Sequence, residues 1–248
     1  MKHVFAVLYF AAALAAAADP VERTLNEKLT AAQRNDACFA LRGDRSPHVV
    51  AAMRGALAND VVRACAARNL REAGAVDELR SALAAPQAEV RAVAARELGA
   101  LGREDLIPLL VRTAHDPNML VASNAVMALG QYLPAAVLPY LLDLAGGGGA
   151  AGLSALSRAA QFDEKAALPV SRLLLRGSDL PVKMIALKVV GDCGDLTDLP
   201  RLREIAVKGE PLTVRSRGFG LMPALDLSRA AKRAIDDIER RQPSKSAG

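Results

Sequence analysis

Asp105-Leu106-Ile107-Pro108-Leu109-Leu110, then the turn His115-Asp116-Pro117-Asn118, then the run Met119 to Tyr132, decides the fold of this chain. A proline is tolerated in the first turn of a helix, because the first four helical N–H groups have no internal acceptor. Arg103-Glu104-Asp105 therefore opens a helix with Pro108 in its first turn, and the apolar residues after it fill one face. The Asp-Pro pair ends that helix in a turn, and apolar residues then return at helical spacing. The unit is two helices joined by a tight turn.

The unit recurs along the chain. Leu-Pro or Ile-Pro pairs put Pro108, Pro139, Pro169 and Pro200 at steps of 31, 30 and 31 residues. A second ladder, Val62-Arg63, Val90-Arg91, Val121-Ala122, Ala151-Gly152, Val182-Lys183 and Val214-Arg215, steps by 28, 31, 30, 31 and 32. A fixed period of roughly 20–50 residues marks a solenoid of stacked supersecondary units. Turns stand at Ala85-Pro86-Gln87, Ser178-Asp179-Leu180-Pro181 and Gly209-Glu210-Pro211, while Gly146 to Gly149 replaces the Asp-Pro turn in the middle unit.

With the Val of each second helix numbered zero, position four is Ala66, Ala94, Ala125, Ala155, Ala186 and Gly218. This column of small residues lets helices approach closely. Position eight is Leu70, Leu98, Leu129, Ala159, Val190 and Met222, and position eleven is Ala73, Leu101, Tyr132, Phe162, Cys193 and Leu225. These positions share one arc of a helix, the expected buried face, while positions three, six and ten fall on the opposite side.

The pattern resembles the HEAT-repeat family, in particular the short bacterial repeats grouped with phycobilisome-lyase-like proteins. The resemblance rests on Asp105 to Leu110, the Asp116-Pro117 turn and Glu89-Val90-Arg91-Ala92-Val93-Ala94-Ala95-Arg96-Glu97-Leu98-Gly99, and it extends over 46–238. It implies an all-α, right-handed solenoid of six to seven helix pairs, with second helices lining a concave surface that holds partners. It implies an interaction scaffold and no particular ligand, since fold does not carry function. The middle unit departs most, having Ala151-Gly152 where Val-Arg is expected.

Met1-Lys2-His3, the apolar run Val4 to Ala15 and the small residues Ala16-Ala17-Ala18 read as a signal peptide cut before Asp19. Asp19-Pro20 ends the apolar run short of the about 20 residues a membrane span needs. The expected divisions are a leader at 1–18, a weaker N-terminal unit at 19–45 with its second helix near Gln33 to Leu41, the solenoid at 46–241 and a disordered tail at 242–248. Leu227 to Arg240 reads as a last first-helix that caps the stack. The formal charge of +5 is mild and bears on solubility more than on a partner. With 52% hydrophobic residues, 3% aromatics and no Trp, the core is built from Leu, Ala and Val.

Catalytic chemistry finds little support. His48 and His115 stand in separate units, neither at ligand spacing with a Cys or another His. No nucleophile elbow and no phosphate loop is present, and Gly146 to Gly149 lacks the Lys that phosphate cradling needs. Neither enzyme activity, metal nor cofactor is expected. The position-one bases Arg63, Arg91, Lys183 and Arg215 read either as an internal ladder onto turn carboxylates and carbonyls or as a phosphate-binding stripe. With no Trp and few aromatics to stack on bases, nucleic acid is not the expected partner.

The candidate binding face comes from the outward positions of the second helices: Arg68, Arg96, Asn124, Met127, Gln131, Ser157, Gln161 and Lys188. Mixed polar residues with one exposed Met suit a groove for a protein or peptide; any solvated helix face has the same composition. Cys193 reads as a core residue, while Cys65 at position three and Cys38 on the preceding second helix face outward. In an oxidising compartment these two either pair or remain free thiols. The sequence thus points to a periplasmic or secreted protein-binding scaffold. Its alternatives are a structural part of an envelope assembly and a lyase-like accessory factor.

Overall fold

The computed structural model describes residues 19–208, 211–212 and 225–241. The leader at 1–18, the second-helix start at Val214-Arg215 and the tail at 242–248 lie outside the described residues. The described chain is an all-α solenoid of fourteen helices in seven pairs, divided into two compact units that meet at Arg103 and Glu104 in sequence.

The first unit holds three pairs: α1 (Pro20–Leu25) with α2 (Ala31–Ala40), α3 (Pro47–Ala56) with α4 (Arg63–Ala73), and α5 (Val76–Ala82) with α6 (Ala88–Gly99). The second holds four: α7 (Ile107–Thr113) with α8 (Met119–Leu129), α9 (Pro134–Gly146) with α10 (Gly149–Phe162), α11 (Glu164–Leu174) with α12 (Leu180–Cys193), and α13 (Leu199–Lys208) with α14 (Leu227–Arg241). Local chemistry sets the starts. Asp19, Asn118, Asp163 and Asp179 each accept a hydrogen bond from a first-turn N–H, which satisfies a donor the helix cannot. Thr30 and Gln33 form a reciprocal capping box on α2. A two-residue antiparallel ladder, β1 (Pro211–Leu212) with β2 (Leu225–Asp226), precedes α14.

Columns four and eight are buried throughout the described pairs, from Ala66 and Leu70 to Ala186 and Val190. Column zero is buried at Val62, Val90, Val121 and Val182, with Ala151 half-exposed. The buried arc is wider than expected. Position five (Ala67, Ala95, Val126, Leu156, Leu187) is buried, and so is position seven at Asn69, Glu97, Ala128 and Val189. A second helix is covered by its own first helix and by second helices of neighbouring pairs, so more than one stripe leaves solvent.

Two sequence expectations change. Pro108 lies in a first turn, after a 3-10 turn at Glu104–Leu106, but Pro139 and Pro169 lie inside α9 and α11. Those helices start a turn earlier, at Pro134 and at the Asp163 cap, and both internal prolines stand on exposed positions where the carbonyl left unpaired can reach water. Leu227–Arg241 takes a second-helix place, packing on both α12 and α13. A Cβ at Gly191 of α12 would stand 3.0 Å from the Ala234 Cα, and Arg203 of α13 pairs with Glu239 at 3.1 Å. At the middle turn Gly148 and Gly149 adopt φ of 66° and 65°, which only glycine enters freely, and the Gly149 N–H donates to the Asp179 carboxylate at 3.0 Å. Among the described residues no helix is long and apolar enough to cross a membrane.

Candidate interaction surface

The position-one arginines turn inward. Arg63 Nε and Nη2 donate to the carbonyls of Leu57 and Ala58 at 2.9 and 3.2 Å. Arg91 Nη1 donates to those of Ala85 and Pro86 at 2.8 and 3.0 Å. Each guanidinium thus ties down the turn of its own pair, and Arg63 does so at the Leu57 C-cap of α3, where orphan carbonyls and the helix dipole favour a cation. At Arg63 and Arg91 the ladder is internal, and carbonyls of the same pair are among its partners.

On the second-helix face of the first unit, Arg68 is exposed and Arg96 half-exposed. Arg96 Nε and Nη2 both reach Glu97 Oε1, at 3.0 and 2.9 Å. Glu97 Oε2 lies 3.1 Å from Arg71 Nε, Arg71 Nη2 lies 3.4 Å from Glu72, and Arg42 grips Glu72 with two bonds of 3.0 and 3.1 Å. The chain of charges ties α2, α4 and α6 together. The Arg42 guanidinium holds the Glu72 carboxyl below its ordinary range, against a smaller opposing effect of burial. Arg68 adds a further cation to this face.

The second unit brings Met127, Gln131 and Gln161 to the surface, with Asn124 and Ser157 half-exposed. Asn124 donates to the Leu120 carbonyl of its own helix at 2.8 Å. Arg158 packs across Gly130, where a Cβ would come 2.5 Å from its Nε, and its Nη1 donates to Gln161 at 3.0 Å. Lys188 bridges Glu164 at 3.2 Å and Asp192 on its own helix. The Asp192 carboxylate, with Glu164, raises the Lys188 pKa, so the ammonium stays charged. Beside Lys188 the second helices α12 and α14 enclose a groove of about 330 Å³. Its floor is Leu187, Gly191 and Ala234, and Lys188, Asp192, Arg233 and Asp237 form its rim.

Cys38 and Cys65 are joined by a disulfide, with Cα atoms 6.3 Å apart. Neither sulfur faces outward, contrary to the sequence reading: Cys38 and Cys65 are 0% and 6% exposed, because position three of α4 meets α2 and not solvent. Asn69, one turn beyond Cys65, is buried with them and donates to the Cys38 carbonyl at 2.8 Å. Cys193 is half-exposed rather than buried, and its thiol donates to Glu164 at 3.7 Å. Burial, then the Glu164 carboxylate, pushes that thiol's pKa up.

Sequence reasoning missed the polar groups at position seven and the Arg172 clamp. Arg172 of α11 makes two bonds of 2.8 Å to Asp198 and one of 3.0 Å to Asp195. This geometry fixes the chain reversal after α12, where a Cβ on Gly194 would collide with the Val190 carbonyl and the Asp198 carboxylate. The one available signal was the dense Asp195-Leu196-Thr197-Asp198 run, a capping-box sequence. Among the described residues no group of three or more His, Cys, Asp or Glu is placed to hold a metal ion.

Residues 76–153 match the family model for HEAT repeats. Solved structures to which this chain is similar include the complex of CpcE and CpcF of phycocyanin lyase from Nostoc sp. PCC7120, at 18% identity and a TM-score of 0.40, covering 88% of this chain and 93% of that one. Human deoxyhypusine hydroxylase in complex with glycerol follows at 17% identity and 0.38, covering 90% and 95%. A designed armadillo repeat protein in complex with the peptide (KR)4 stands at 15% and 0.38, covering 88% and 98%. No curated protein matches the chain. None of these likenesses assigns an activity.

Proposed function

We propose that this chain of HEAT repeats is an exported, non-catalytic scaffold that holds a protein or peptide partner on its second-helix face, in the periplasm or outside the cell. The observation that carries the reading is the α12–α14 groove, with an apolar floor and a charged rim. Fully desolvated anchors in such a floor supply most of the energy of a protein contact, and a polar rim sets its register. Met127, 59% exposed on α8, offers an adaptable apolar contact on the same face of its own helix. The inward aim of Arg63 and Arg91 supports a protein partner over nucleic acid, since those guanidinium groups already hold backbone carbonyls. The leader-like first residues and the Cys38–Cys65 bridge support export, because disulfides persist in oxidising compartments.

Photo-crosslinking in cells tests the face. A crosslinking residue replacing Met127, Gln131 or Gln161 should capture a partner, whereas one at Leu173 on α11 or Tyr140 on α9, both exposed on first helices, should not. Capture from the first-helix positions alone defeats the reading. For a partner so identified, Lys188→Glu with Met127→Glu should lower affinity at least about tenfold, equivalent to about 1.4 kcal/mol.

A further inference from the structure

We propose, resting on the scaffold function above, that the second-helix face of the first unit docks an acidic segment of the protein partner. Four arginines stand together there: Arg42 just beyond α2, Arg68 and Arg71 on α4, and Arg96 on α6. Glu72 lies within the field of Arg42, Arg71 and Arg68, and Glu97 pairs with both Arg71 and Arg96. One continuous cluster of charge therefore crosses three helices.

Depth separates the two signs. The Glu97 side chain is 6% exposed and that of Glu72 22%, whereas Arg96 and Arg42 are 43% and 54% exposed, and Arg68 is exposed as well. The carboxylates lie beneath and the guanidinium groups above, so solvent meets a positive surface. Four cations over two carboxylates leave an excess of two positive charges in this cluster.

A long cation ordinarily loses rotamer freedom when it binds, and here the carboxylates beneath have already restricted it. Arg42 spends Nε and Nη2 on Glu72, and Arg96 spends the same two nitrogens on Glu97. Each keeps Nη1 for a further acceptor. Arg68 has no hydrogen bond or ion pair among the described residues, so its whole fork is available. Guanidinium forks match carboxylates in planar pairs. Packed helices stand about 8–10 Å apart, and three residues of extended chain span about 10 Å. Carboxylates three residues apart on an extended segment therefore meet arginines of adjacent second helices. Nucleic acid fits less well, because a site with about 6–10 phosphate contacts needs more free cations than this cluster holds.

Fluorescence anisotropy with the full-length mature protein tests the proposal. The labelled probes are the amidated peptides (Glu-Ser-Gly)4, (Gln-Ser-Gly)4 and (Lys-Ser-Gly)4, and a thymidine oligonucleotide equal in charge to the glutamate peptide. The glutamate peptide should bind saturably, at least about tenfold more tightly than the other three probes. Arg68→Glu should weaken it about tenfold and Arg68→Ala about threefold, both at the wild-type melting temperature, since no internal bond is lost. Arg176→Glu makes the same change of net charge on an exposed position of the second unit and should leave the affinity unchanged. No binding, equal binding of the glutamine peptide, tighter binding of the oligonucleotide, an affinity unmoved by Arg68→Glu, or an equal loss from Arg176→Glu would each overturn the proposal. The assay needs no cellular partner, so its failure is distinct from that of the scaffold: capture at Met127, Gln131 or Gln161 would still uphold the scaffold while the acidic segment was withdrawn.

Discussion

Ala125 is fully buried on α8, at the position-four column that is Ala in the five second helices from α4 to α12. A larger side chain there has no void to enter, so Ala125→Leu should destabilise the protein by about 1–3 kcal/mol. A melting temperature equal to wild type would show that the column is not where the helices meet. The small-residue column was legible because repetition at constant spacing separates a packing requirement from a compositional accident. Position seven was not legible, for a physical reason. Asn69 and Glu97 look like surface residues by type, and partners from other helices help make their burial tolerable: the Cys38 carbonyl for Asn69, and Arg71 for Glu97, which its neighbour Arg96 also pairs. The local sequence contains no record of the partners that come from other helices. The same blindness put Cys65 on the outside.

At the scale of elements, neighbouring second helices of the first unit are joined by side chains as well as by packing. Arg42, just beyond α2, holds Glu72 at the end of α4 with two bonds. The folded-state pKa of Glu72 is therefore depressed below its ordinary 4.5, with the Arg42 bond as the main cause. A depressed carboxylate contributes stability that is present above the unfolded-state pKa and is lost as pH falls through the folded-state value. Because the Arg42 side chain is largely solvated, the pair's contribution is small. Arg42→Ala should raise the Glu72 pKa in a carboxyl NMR titration and reduce the loss of melting temperature on acidification below pH 4.5. An unchanged Glu72 titration in that variant would break the link. Sequence had indicated that the position-one arginines serve the fold, and the spacing of turn and base was sufficient for that. It did not show which carbonyls, because a carbonyl leaves no mark in a sequence: Arg63 and Arg91 reach those of the turn in their own pair. The displaced starts of α9 and α11 arise similarly: the Pro ladder dates from the repeat, while Pro134 and the Asp163 cap determine where each helix begins.

For the whole molecule, the proposed compartment, the N-terminal pair and the chemistry of sulfur meet in one measurement. The bridge joins α2 to α4, tying the least regular pair to the regular repeats behind it, with a sequence separation of 27 residues. Cα atoms 6.3 Å apart lie within the span that a disulfide accommodates. Closing such a loop stabilises by about 3 kcal/mol in the chain-entropy model when the native geometry is unstrained. Export should remove residues 1–18, leaving Asp19, which accepts the Val21 N–H and caps α1. Mature protein recovered from the cell envelope or medium should therefore begin at Asp19 by intact mass. When denatured without reductant it should expose one thiol, Cys193, and reduction should lower its unfolding free energy by about 3 kcal/mol. The same chain made without its first 18 residues in a reducing cytoplasm should expose three thiols and melt at the lower temperature. Three thiols in the exported form would remove the bridge, and an uncleaved chain found in the cytoplasm would remove the export on which its oxidation depends.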